Sequence, residues 1–371
     1  MFDYRNFNYE NEYYKYYHLI NIFLFKNSGI KTDRDPLFVN FNENNLQDII
    51  QYFYSSECLN DENFIKVYNI NNSSSYDLLE KRNKTTYEQN NIKQLLYKPF
   101  DIRWIYYRVG LTSRPAWQVM QHMIDNENLG LISMRQIVND DYSHFGVTQM
   151  LTSHGTFYLG NKGQDYIFPL YLYPDTNNPQ ELQQQKRPNF SEDFLKKIEI
   201  NLGYLPTPEI IFYYIYAIFH SPTYRTRYAE FLKIDFPRVP LTSDNNLFSQ
   251  LAEYGEELVA LHLMKSPKLN NMITQFTENG GNQIVDAGHP KYNNDAVVIN
   301  KKGDKFIGVP EEVWNFYIGG YQVCHKWLKD RKGRTLNDGD ILHYQRVVVA
   351  LKETMDLMQL IDDAIPEWPI Q

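Results

Sequence analysis

Cysteine is nearly absent from this chain: Cys58 and Cys324 are the whole complement in 371 residues. Two thiols so far apart form neither a CxxC ligand pair nor a disulfide framework, which fits a reducing compartment. HExxH, the other strong zinc signature, is missing as well. Neither GxGxxG nor GxxxxGK[ST] occurs, so nothing signals a dinucleotide fold or a phosphate-cradling loop. The longest apolar run, IIFYYIYAIF at 210–219, is about half of what a bilayer span requires. The opening MFDYRNFNYENEYY has no basic n-region and no apolar h-region, so no secretory signal is expected, and the location is read as cytoplasmic, without a membrane partner. Positive charge is in deficit, at a net −8. That argues against a module that grips nucleic acid by bulk electrostatics and leaves room for local patches.

What is present is the composition of a folded protein, 43% hydrophobic and 22% charged. The length allows two domains or one large one with an appended subdomain. Aromatics reach 15%, with 30 tyrosines, and Asn runs such as NINNSSS accompany them. AT-rich codons give this bias, so most rings are read as core filling rather than a stacking platform.

Residues 1–174 read as mixed α and β. ENNLQDIIQYF places Leu46, Ile49, Ile50 and Phe53 at helical spacing. QLLYKPF, IRWIYY, LGLISM, FGVTQML and YIFPLYLYP then read as strands, with AWQVMQHMI as a helix among them. Residues 175–204, opening on the polar DTNNPQELQQQKRPN, are assigned as a linker. From 205 to 371 the pattern is helical. Thr207-Pro208-Glu209 starts a helix that is apolar all round, and Ser221-Pro222 starts another. Leu247, Leu251, Tyr254, Leu258 and Leu261 mark a third, and AVVIN-KKGD-KFIGVP reads as a hairpin. EEVWNFYIGGYQVCHKWLKD and ILHYQRVVVALKETMDLMQLI read as two closing helices, the last with a seam through Ile341, Tyr344, Val348, Leu351, Met355 and Met358. The expected fold is α+β: a mixed, mostly antiparallel sheet region followed by a helical subdomain with a small hairpin.

Candidate chemistry is thin. Ser28 and Lys31 have SxxK spacing, a match short enough to arise by chance. Asp286, Asp295 and VVINKK loosely fit a metal-dependent nuclease, except that Asn300 stands where an acid should precede Lys301. His144 and His154 are candidate acid–base residues, since an imidazole side chain ordinarily titrates near neutrality, but neither has a partner visible in the sequence. No catalytic residue is assigned.

Local cations stand out instead. Lys98, Arg103, Arg108, Arg114 and Arg135 outnumber Asp101, Asp125 and Glu127 over residues 98–135. In KWLKDRKGRT five cations face Asp330 alone, a cluster read as complementing a helix C-terminus that Gly333 would stop.

LYKPFDIRWIYY, SRPAWQVMQHM, LGLISMRQ, SHFGVTQ and FPLYLYP, followed by TPEIIFYYIYAIFHSPTYRTRYAEFLKIDFPRVPLTSD, GVPEEVWNFYIGGYQVCHKWLKDRKGRTL and HYQRVVVALKETM, resemble in order the C-terminal specificity region of type ISP restriction–modification enzymes. GIKTDRD resembles that family's opening motif, which more often has Gly where this chain has Asp33. These bacterial defence proteins combine nuclease, translocase, adenine-N6 methyltransferase and target-recognition parts. Only the recognition part is visible here: Asn178-Pro179-Gln180 is the nearest approach to an NPPY motif, and helicase motifs are absent.

The resemblance implies double-stranded DNA and a methyltransferase domain or subunit as partners. S-adenosylmethionine, ATP and Mg²⁺ would belong to domains outside this chain, which itself would hold no cofactor and no metal. Lys31, Arg34, Arg103, Arg108, Arg114, Arg135 and Gln136 become the candidate DNA contacts, since guanidinium and amide groups match base edges and cations hold phosphates. The alternative is a scaffold that docks on a methyltransferase without reading DNA.

Overall fold

The computed structural model describes residues 9–70, 76–137, 141–158, 163–174 and 185–370. Two four-stranded sheets carry the first half. One orders Asn27–Ser28, Asp165–Pro169, Gly130–Met134 and Phe145–Thr148, all antiparallel. The other orders Val39–Asn40, Asp101–Tyr106, Ile92–Lys98 and Leu151–Thr152, antiparallel except where Leu95 and Leu96 run parallel to Leu151 and Thr152. The unbroken burial of Gly130–Met134 explains its run of apolar residues: it is a central strand covered on both faces. Ser133, its polar member, hydrogen-bonds the Tyr142 hydroxyl at 2.9 Å. Phe53, Leu46 and Ile50 of the helix Glu43–Tyr54 build a separate small core over the second sheet, with Tyr106 and Ile92.

The second half is helical, as the start signals require. Thr207 accepts a hydrogen bond from the Ile210 amide and Pro208 fills the first turn, so Pro208–His220 begins where its caps place it. Asn245–His262 packs along it at a close approach that only glycine permits. A Cβ at Gly255 would overlap the Tyr213 carbonyl oxygen. Gly255→Ala is therefore expected to cost about 1–3 kcal/mol, the range for overpacking a core, measured as a lowered urea midpoint; an unchanged midpoint would show that the helices part freely. Asp338–Ala364 closes the core behind a capping box formed by Asn337 and Asp340. The expected hairpin lies inside a four-stranded antiparallel sheet of Gln275–Thr277, Lys305–Ile307, Ala296–Val298 and Lys291–Asn293.

The architecture is α+β as expected, but three local readings change. Residues 175–184 of the assigned linker lie outside the described residues, whereas Glu192–Leu202 is a helix capped by Ser191, with Phe194, Ile198 and Leu202 buried. The polar run before it masked this three-residue stripe. The expected long helix from Glu311 is broken: Glu311–Trp314 and Val323–Lys329 flank a hairpin pairing Tyr317 with Gln322. Gly319, at φ 57°, supplies the left-handed residue such a tight turn needs. Of AWQVMQHMI only Trp117–Met120 is helical. One continuous core also crosses the assigned boundaries, joining Tyr13, Phe145 and Phe168 to Tyr216 and Val348, while Tyr17 pairs with Val239. The amino-terminal residues thus pack with the helical half.

A buried polar pair sits where the first sheet meets the chain after Leu151. Burial pushes the Asp165 carboxyl up to about 7, against the Phe157 amide that it accepts at 3.0 Å. Burial pushes the nearby Lys98 ammonium down to about 8; Lys98 donates to the Gly155 carbonyl. An acid whose folded pKa is raised binds its proton more tightly folded than unfolded, so stability falls as pH rises from about 4 through about 7. Asp165→Asn should flatten that fall, read as urea midpoints at pH 5 and pH 7. An equal decline in both proteins would exclude Asp165 as its source.

Candidate nucleic-acid interface

Three loops converge at one end of the two sheets. Gly29 lies against the Ser153 carbonyl so closely that a Cβ would overlap it. That approach lets Ile30 donate to the Thr152 carbonyl at 2.8 Å and accept from the His154 amide at 2.8 Å. On the other side Lys31 and Arg114 exchange backbone hydrogen bonds at 3.0 and 2.9 Å, an isolated antiparallel bridge. Directly opposed residues of such a bridge project on the same side. The two cations, more than eighty residues apart in sequence, are neighbours for that reason.

Asp33 sets the turn between them. Its φ of 57° is left-handed, a conformation that glycine adopts without cost, and this accounts for the glycine preferred there in the family motif. The carboxylate compensates by gathering the loop: Lys31 Nζ lies 2.9 Å from Oδ1, and Ser113 Oγ donates to Oδ2 at 2.6 Å. Partial burial pushes this carboxyl up, and the Ser113 hydroxyl, the Lys31 ammonium and Arg114 outweigh it, leaving it below the usual range. Beneath the turn, Thr32 bonds Asp35, which also accepts the Tyr97 hydroxyl at 2.8 Å. The loop is held from below and open above.

Arg114 is exposed, and among the described residues its guanidinium has no hydrogen bond or ion pair. Beside it lie His154 and Gln164; burial, Lys31 and Arg114 lower the His154 imidazole pKa, and Gln164 offsets this only in part, favouring the neutral ring. Neutral His and Gln each offer a donor and an acceptor, the chemistry of base-edge readout. The register of the first sheet extends the set. Met134 pairs with Asp165, so the next step carries Arg135 toward Gln164, at the sheet end from which Gly29–Lys31 departs. Arg135, 61% exposed, pairs with Asp235 at 3.1 Å, and Gln136 beside it is exposed.

Two candidate contacts lie largely buried in the chain. Arg103 has a 13% exposed side chain, pairs with Asp101 at 2.7 Å and lies over Phe41 and Tyr97 at 4.1 and 3.8 Å. Its alternation with Ile102 and Trp104 fits a solvated strand face, but the C-terminal region covers that face. Arg34 is 7% exposed, donates from Nε to the Asn69 carbonyl at 3.0 Å and lies over the Tyr76 ring. It clamps its own loop rather than facing outward. Arg108 is half-committed, to Glu88 at 2.6 Å and the Thr86 carbonyl at 3.1 Å. His154 and Gln164 escape a reading of the sequence as DNA contacts because nothing near them in the chain shows that Gly29 packs on Ser153.

The KWLKDRKGRT cluster is also divided. Lys326 bonds Asp330, but Arg331 turns inward to Asp101, and the helix ends at Lys329, before Gly333. The chain therefore has an internal use for the cation that helix-end electrostatics would have kept outside.

The acids and the histidine singled out in the sequence have structural placements. Asp286 accepts the Lys301 amide at 2.8 Å and Asp295 faces Tyr292, so both acids serve turns of the small sheet. His144 is buried beside Tyr142 and Tyr158. Among the described residues no group of three or more His, Cys, Asp or Glu side chains could hold a metal ion, and no helix is long and apolar enough to cross a membrane.

These features define an α+β domain with a polar, cation-bearing loop face at one end of its sheets. The chain belongs to the Type ISP C-terminal specificity domain family, whose model matches residues 21–360. No curated protein matches it. Among solved structures, the ATP-dependent Type ISP restriction-modification enzyme LlaBIII bound to DNA superposes with a TM-score of 0.73 at 20% identity, covering 97% of this chain and 24% of that one. A nuclease-deletion mutant of the Type ISP enzyme LlaGI with a DNA substrate mimic gives 0.68 at 22% identity, covering 99% and 30%. The DrdV–DNA complex gives 0.69 at 20% identity, covering 92% and 36%. The chain thus spans a quarter to roughly a third of these enzymes' length, and at such identities the likeness establishes the fold.

Proposed function

We propose that this chain is the DNA target-recognition part of a Type ISP-like restriction–modification system, reading a short duplex motif and modifying nothing itself. The observation that carries the reading is the Lys31–Arg114 bridge, which sets two cations beside His154 and Gln164 on open loops. The solved relatives, each bound to DNA or a substrate mimic, agree with it. Lys31 and Arg114 hold phosphates or guanine edges, and His154, Gln164, Arg135 and Gln136 discriminate bases.

A net charge of −8 fits a module that selects sequence while other domains supply much of the phosphate grip. Methyl transfer to adenine N6, translocation and cleavage, with S-adenosylmethionine, ATP and Mg²⁺, fall to those domains. A cytoplasmic setting, with access to DNA, follows from the same role.

The test is selection of a random duplex library on this chain, joined to its methyltransferase partner, at moderate salt. One short motif should be enriched. Recovery of unselected sequences would favour the scaffold reading instead.

A further inference from the structure

Apart from its bridge to Ile30 at Ser153, the segment Ser153–Tyr158 has no strand or helix of its own. Its backbone is pinned from three other parts of the fold. Asp165, in the first sheet, accepts the Phe157 amide at 3.0 Å, and Lys98, in the second, donates to the Gly155 carbonyl. The third holder is the hairpin of the helical half, Tyr317–Ile318 paired with Tyr321–Gln322.

That hairpin grips the segment at several points. The Gly320 amide donates to the Phe157 carbonyl at 3.0 Å, and the Gly319 amide donates to the Ser143 carbonyl at 3.0 Å. The Tyr321 hydroxyl donates to the Tyr158 carbonyl at 2.8 Å, with the Gly155 carbonyl also within its reach at 3.3 Å. One group thus spans the turn from Gly155 to Tyr158. On its other side the His154 amide donates to the Ile30 carbonyl at 2.8 Å, so His154 stands between two anchors. The hairpin is itself tied back, because Gln322 Nε2 donates to the Trp314 carbonyl at 2.7 Å.

Tyr321 is built for this contact. It is 2% exposed, and its ring lies 5.0 Å from Lys98 Nζ and 5.7 Å from Lys326 Nζ. Burial, with Asp165 and Asp330 nearby, pushes the hydroxyl pKa up, so the group keeps its proton and serves as a donor.

A side chain that reads a base edge must sit within about 0.5 Å of its productive position, and in a turn without regular structure only the groups that pin the backbone give that precision. We propose that Tyr321 is a positioning residue for DNA reading: its hydroxyl locks the turn that carries His154, so the helical half helps to set where that imidazole meets a base. The lock rests on the fold alone. Its consequence rests on the target-recognition reading above.

Hydrogen exchange of the free chain, followed by mass spectrometry, reads the lock without DNA. In Tyr321→Phe the amides of Ser153, His154 and Phe157, which donate to Leu96, Ile30 and Asp165, should exchange about fivefold faster, the worth of one hydrogen bond. Tyr214→Phe removes a comparably buried hydroxyl, bonded to the Pro240 carbonyl at 2.9 Å, and should leave that segment unchanged. Duplex selection on the chain joined to its methyltransferase partner then reads the consequence. Tyr321→Phe should relax the same motif position as His154→Ala, with the other positions and the salt slope kept, since no cation is lost. A merely structural loss would weaken binding without changing the motif. Unchanged exchange over 153–158 in Tyr321→Phe overturns the proposal, as does an intact motif where His154→Ala relaxes one position. Faster exchange, beside a motif that His154→Ala also leaves intact, supports the lock and counts instead against base reading by His154.

Discussion

Asp101→Ala is expected to lower the stability of the folded chain by about 3–5 kcal/mol, the cost of leaving buried charge without its partner. Asp101 is 1% exposed and serves two guanidiniums at once. Its Oδ2 accepts Arg103 Nε and Nη2 at 3.0 and 2.7 Å, and its Oδ1 accepts Arg331 Nη2 at 3.0 Å. The other acids are poor substitutes: Asp330 lies 3.5 Å from Arg103 and Asp340 lies 3.9 Å from Arg331. Phe41 and Trp327 close the site, with Arg331 over Trp327 at 3.3 Å. Removing the carboxylate strands both cations in an aromatic box that water cannot enter freely. Urea unfolding measures the loss, and a change below about 1 kcal/mol, the worth of an exposed pair, would show that the cluster is solvated. This junction fastens a strand of the second sheet to the turn after Val323–Lys329, so the same variant should loosen the contact between the halves.

The second large effect concerns binding. Lys31→Ala with Arg114→Ala is expected to weaken association with the selected duplex by roughly 10²-fold and to reduce the slope of log K against log salt by about two, because each cation that no longer meets a phosphate takes about one from the slope. Two backbone hydrogen bonds, not the side chains, make the Lys31–Arg114 bridge, so the loops should keep their geometry in the double variant. Removing Lys31 also leaves the Asp33 carboxylate, still held by Ser113, without its cation on the loop proposed to meet DNA, which should weaken binding further. An unchanged slope would assign these cations a role away from phosphate. A lowered affinity with an altered preferred motif would move at least one of them from phosphate to base.

Much of this fold can be read from local chemistry. Thr207-Pro208 announces the buried helix, and the alternation through Ile102, Trp104 and Tyr106 announces a strand. What escapes such a reading depends on distant partners. Arg103 has the pattern of a surface residue until Arg331, 228 positions later, shares Asp101 with it. Gly319-Gly320 breaks a helical period whose apolar spacing continues on both sides, because Gly319 is pressed against the Phe157 carbonyl. The candidate interface is partly legible: Lys31 and Arg114 stand out in their motifs, and Asp33 by its departure from glycine. His154 and Gln164 join them only through the packing of Gly29 on Ser153, a backbone contact that leaves no periodic trace in the sequence.

The most direct measurement is to sequence the duplexes retained by the wild-type chain and by His154→Ala and Gln164→Ala, each joined to the methyltransferase partner and washed at the same salt. If the loop face reads bases, each variant should retain duplexes in which one position of the motif is relaxed while the others persist. Identical motifs from all three proteins would place base reading elsewhere in the molecule.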